Sequence, residues 1–115
     1  MKVFNKTTGT VIALKGKVAD TFLSRLTGLI NRASLLQEET LIITRCQSIH
    51  MFFMRFSIDV VFVNKENCVV GLVERIKPFQ LSPIFFKASY AIEIPEGKIA
   101  EKKITIGDIV ELRNE

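Results

Sequence analysis

The stretch "IDVVFVNKENCVVGLVERI", residues 58–76, decides how this chain folds. Two runs rich in β-branched residues flank the polar tetrapeptide "NKEN". Such side chains fit a pleated surface better than a helix. The short polar interruption closes a hairpin, with Asn67 at a left-handed position. Both runs are apolar at consecutive positions and do not alternate. That pattern predicts strands in the centre of a sheet covered on both faces. One residue breaks it: Asp59 stands between Ile58 and Val60.

Working outward, "KVFN" and "TVIALKGKVA" read as strands separated by a polar turn at residues 5–9. "ADTFLSRLTGL" changes period. Asp20 is an N-cap residue, Phe22, Leu23 and Leu26 are helix-spaced, and Gly28 ends the pattern, which predicts a short helix over residues 21–27. "ETLIIT" is a buried strand and "YAIEIP" an alternating one. "EGKIAEKK" allows a helical turn. "ITIGDIVEL" turns tightly at Gly107-Asp108 into a last strand. Between them, Pro78 and Pro83 hold "KPFQLSPIFFKAS" in a long loop or irregular edge. Many short strands with one helix predict a mainly β fold, an antiparallel β-sandwich or barrel of jelly-roll type. A chain of 115 residues with no linker or repeat fits a single domain spanning 1–115.

Hydrophobic residues make up 48% of the chain and charged residues 24%, an ordinary globular balance. The net charge is +4, but the basic residues are scattered from Lys2 to Arg113 among acidic ones. Nucleic-acid binding needs them gathered on one face, so it is not expected. One histidine and two cysteines without a CxxC pair cannot complete a zinc set, and no metal or cofactor is expected. Cys46 and Cys68 read as free thiols. The N-terminal residues lack a signal-peptide core and no run reaches transmembrane length, which predicts a cytoplasmic protein.

Upstream of the hairpin, "CQSIHMFFMRFS" concentrates residues that carry chemistry. Cys46 and His50 suggest a nucleophile and its base. Residues four apart share a face of a helix, but in extended chain their Cα atoms lie about 13 Å apart, beyond a direct hydrogen bond. The β-branched surroundings favour extended geometry, which weakens the pair. Ser48 and His50 are then same-face neighbours. Asp59 in an apolar run must be paired, hydrogen-bonded or protonated. Arg25 is the first candidate partner, with Arg45 and Arg55 as alternatives. Either an Arg–Asp bridge pins helix to sheet, or Arg25, Ser48, His50 and Asp59 form the polar end of a pocket walled by Met51, Phe52 and Met54. In residues 77–88, Phe79, Phe85 and Phe86 are either a lid on the core or a surface for a partner.

The blocks "RLTGLI", "SIHMFFMRFSIDVVFVN" and "AIEIPEG…ITIGDIVEL" carry a resemblance. In this order and spacing the chain resembles the uncharacterised family known as domain of unknown function 192. The matching positions are Arg25, Gly28 and Leu29; Ser48, Ile49 and His50; Met54, Phe56, Ile58 and Asp59; then Glu93, Pro95, Gly97, Gly107 and Asp108. They run from about Val18 to Leu112. Ser57 departs from the family's usual proline, and Glu96 stands where a small residue is common. The resemblance implies a compact β domain related to jelly rolls or small barrels, and it implies no reaction.

These features favour a non-enzymatic β domain that binds a small ligand or a peptide. The competing expectations are a small hydrolase or transferase using Cys46 or Ser48 with His50, and an interaction module docking through residues 77–88.

Overall fold

The structure, a computed structural model, describes residues 1–19, 39–51 and 54–114. The strands are β1 (Lys2–Asn5), β2 (Thr10–Ala13), β3 (Lys15–Ala19), β4 (Glu39–Thr44), β5 (Ile58–Val63), β6 (Val69–Ile76), β7 (Tyr90–Pro95) and β8 (Val110–Arg113), with one helical turn, α1 (Lys98–Glu101), between β7 and β8. The helix expected over residues 21–27 lies outside the described residues.

The 58–76 hairpin forms as its residues dictate. Asn64 folds its side chain back over the turn, and its Oδ1 accepts the Glu66 and Cys68 amides at 3.0 and 2.9 Å. Asn67 takes the left-handed conformation, φ 62°. β5 and β6 then pair antiparallel from Ile58↔Ile76 to Val63↔Val69.

Two sheets result. The larger has the order β3-β4-β7-β5-β6 and the smaller the order β2-β1-β8. All pairings are antiparallel except β3 with β4, which is parallel. The sheets do not close into a barrel, so the architecture is the open, two-sheet form of the expected β fold. The apolar run "TVIALKGKVA", read as one strand, is divided. It leaves the small sheet at Ala13 and enters the large one at Lys15, because Leu14 interrupts the pairing and Gly16 bonds to the Met1 carbonyl.

Both faces of the large sheet are covered, as the continuous apolar character of β5 requires. Every residue of β5 is buried. On one face Ile58, Val60 and Phe62 join Leu41, Ile43, Cys46, Ile49, Met51, Met54 and Ala91. On the other, Val61, Val63 and Ile92 of the large sheet join Val3, Ile12 and Val110 of the small sheet, Ile99 of α1 and Ile104 just beyond it. The alternation of side chains along one strand thus feeds two cores. β6 corrects the sequence reading: it is an edge strand, not a central one. Its apolar surplus is used instead against Phe85, which folds over its Gly71.

Candidate functional site

Among the described residues, the first core is closed by an irregular layer and not by a third sheet. Residues 45–51, 54–57 and 77–88 make up this layer, and 47–51 run beside 79–85. Their backbones are tied by hydrogen bonds from Met51 N to Gln80 O, Phe79 N to Met51 O, Ser82 N to Ile49 O and Phe85 N to Gln47 O, all 2.8–2.9 Å. The Ser82 hydroxyl accepts the Ile49 amide at 2.8 Å, and the Gln47 amide group donates to the Phe86 carbonyl at 2.8 Å. His50 and Leu81 form an isolated antiparallel bridge. The "SIHM" block, expected to be extended, is extended but lies outside the named strands. Its strand-like composition is satisfied by pairing with the proline-punctuated loop.

This layer sorts its apolar residues sharply. Met51 and Met54 are buried beneath it. Phe85 is a lid, its ring 4.5 Å from that of Phe62 between centroids. By contrast Phe79 is 67% exposed, Leu81 67%, Ile84 57% and Phe86 78%. Large apolar side chains this exposed, on one short segment, contribute nothing to the core.

The expected polar set is distributed over different places. Ser48 is exposed and His50 half-buried, both in the layer. Arg25 and Phe52 lie outside the described residues. Cys46 is buried, and its thiol donates to the Ser48 carbonyl oxygen at 3.1 Å. Cys46 and Cys68 are not joined in a disulfide. Asp59 is fully buried, and its carboxylate accepts two backbone amides, Arg75 N at 2.8 Å and Ile99 N at 2.9 Å. Ile99 belongs to the core on the α1 face, whereas Ile49 and Met51, on either side of His50, belong to the opposite core. Asp59 therefore projects away from the His50 layer. The partners expected for it were arginine side chains; among the described residues it uses backbone amides.

A second buried polar group escaped the sequence reading. Asp108 accepts the Asn5 side-chain amide at 2.8 Å, the Thr105 amide at 2.9 Å and the Thr105 hydroxyl at 3.0 Å. Asn5 in turn accepts the Thr7 and Thr8 amides through Oδ1. Burial pushes the Asp108 carboxyl up, but the bonds from Thr105 and Asn5 outweigh it and hold the group below its ordinary value. The turn signals at "NKTTG" and "GD" pointed to this place, though not to each other. Gly97 and Gly107, at φ 87° and 98°, occupy backbone that glycine adopts without strain.

The family model DUF192, Uncharacterized ACR, matches residues 3–112. A UPF0127 protein of Thermococcus sibiricus is 38% identical over 113 residues, covering 95% of this chain and 73% of that relative. A UPF0127 protein of Pyrococcus furiosus is 34% identical over 115 residues, covering 95% and 96%. Among solved structures, a protein of unknown function from Novosphingobium aromaticivorans superposes with a TM-score of 0.82 at 24% identity, over 96% of this chain and 82% of its own. A putative transcription regulator from Sinorhizobium meliloti gives 0.78 at 18%, over 96% and 89%. Both structural likenesses concern the fold alone.

Proposed function

For this chain, which belongs to the family DUF192, Uncharacterized ACR, we propose a non-enzymatic role: it binds an apolar peptide segment through the layer formed by residues 45–51, 54–57 and 77–88. The observation that carries this is the exposure of Phe79, Leu81, Ile84 and Phe86 on backbone already fixed by hydrogen bonds to residues 47–51. A surface held in place before binding loses little conformational entropy when a partner docks. Ser48 and His50, in the same layer, supply its polar flank. Met51 and Met54 form the floor that keeps the layer in position. The nucleophile alternative draws no support from Cys46, whose thiol is buried and hydrogen-bonded to the Ser48 carbonyl.

Panning a random-peptide display library on the folded domain tests this. Recovered peptides should carry large apolar residues, and their binding should be lost in the Phe79→Ser/Phe86→Ser double variant while its melting temperature stays that of the parent. Peptides that bind parent and variant equally would overturn the assignment. Phe85 is left intact because its ring is core, so replacing it would confuse loss of binding with loss of fold.

A further inference from the structure

The basic residues are scattered along the sequence, but their excess over acidic ones is not. Residues 45–57 and 77–88 hold Arg45, Arg55, Lys77 and Lys87 and no acidic residue; outside them twelve basic residues balance twelve acidic ones. The whole net charge of +4 is thus carried by the layer that also exposes the apolar side chains. All four basic residues are exposed.

Two open cavities flank the run 84–89 within this layer. One, about 340 Å³, is lined by Arg45, Gln47, Ala88 and Ser89. The other, about 320 Å³, is lined by Val70, Ile84, Phe85, Phe86 and Lys87. Arg45 sits at φ 50°. Asparagine also adopts that left-handed backbone.

We infer that the bound peptide is acidic, placing a large apolar side chain in the cavity beside Ile84 and Phe86 and a carboxylate at Arg45. The inference rests on the peptide-binding role proposed above and names the chemistry of the partner. Arginine's planar fork suits a carboxylate, and Lys87 at the rim of the apolar cavity adds attraction that salt screens. A peptide fits better than an anionic membrane, because two separate concavities of different polarity match successive side chains of a chain, whereas insertion into lipid uses protrusions alone.

The test uses peptides recovered by the display experiment, labelled and titrated by fluorescence anisotropy. Recovered sequences should place aspartate or glutamate next to a large apolar residue. Exchanging those acids for asparagine or glutamine should weaken binding about tenfold or more, as should Arg45→Asn/Lys87→Gln, in line with the loss of charge-assisted contacts. Asparagine keeps the left-handed turn, and an unchanged melting temperature confirms it. Binders indifferent to both changes would overturn the acidic preference while leaving the peptide-binding role standing. Failure to recover any peptide that depends on Phe79 and Phe86 would overturn both. Adsorption to phosphatidylglycerol vesicles, or to a single-stranded oligonucleotide, more tightly than to any peptide would also overturn the inference in favour of that partner.

Discussion

The Asp59 carboxylate accepts the amide of Ile99 at 2.9 Å, joining residues separated by 40 positions. Its other oxygen accepts the Arg75 amide at 2.8 Å. Each donor belongs to a place where regular backbone pairing fails. Arg75 has a positive φ beside the irregular register of β5 and β6, and Ile99 stands in the first turn of α1, whose amides have no partner within the helix. One buried anion satisfies both, which is how a charge survives inside β5.

Asp59→Asn should therefore destabilise the fold by roughly 2–4 kcal/mol. The asparagine oxygen can keep one amide, while its NH₂ group faces the other donor. Urea denaturation checks the size, and hydrogen exchange of the Ile99 and Arg75 amides checks the cause. Loss of stability without faster exchange at either amide would refute this account of Asp59.

Gly71 and Phe85 form a tight pair, since a Cβ at Gly71 would overlap the Phe85 ring. Gly71→Ala should cost about 1–3 kcal/mol through overpacking. Phe85→Leu alone should also destabilise by leaving part of the site empty. In the double variant the costs should be less than additive, because the smaller side chain makes room for the new methyl group. Strict additivity in a double-mutant cycle would show that the two residues do not compete for the same space.

Tyr90 offers a clean optical readout, being the chain's single tyrosine. Its hydroxyl donates to Asn67 Oδ1 at 2.8 Å, and burial pushes its pKa up to about 12 from 10.0. The folded state then keeps a proton that the unfolded state releases, so stability should fall as pH rises from about 10 towards 12. Tyrosinate absorbance should be weak in the folded protein at pH 10–11 and appear in full on denaturation at the same pH. An ordinary titration near 10 in the folded protein would remove the effect.

Asp108 works in the opposite direction. Its folded pKa lies below its ordinary 3.8, so the native state binds fewer protons than the unfolded state as the pH falls through that range. The stabilisation is present above about pH 4 and is lost in stronger acid. Asp108→Asn should cost about 2 kcal/mol at neutral pH, and the gap between parent and variant should narrow steadily below about pH 4. A gap that stays constant down to pH 2 would show that the carboxylate's charge is not what matters at this turn.

The local parts of this fold were legible in residues 58–76, at the Asn67 and Gly107 turns, and in the helical turn near Lys98, because turn chemistry and β-branched runs act over a few neighbouring residues. The burial of Asp59 was legible too, as an obligation to find partners. Its partners were not, since any backbone amide can satisfy a carboxylate and amides leave no mark in a sequence. The same limit hid the Asn5–Asp108 bond and the parallel pairing of β3 with β4. It also hid the edge position of β6: apolar composition records how deeply a strand is buried, not which neighbour does the burying. The candidate site shows the division most clearly. The prolines at 78 and 83 already marked Phe79, Phe85 and Phe86 as belonging to a long loop or irregular edge. That Phe85 turns inward over Gly71 while Phe79 and Phe86 face solvent emerges only in the folded chain, because that sorting depends on contacts between segments far apart in the sequence.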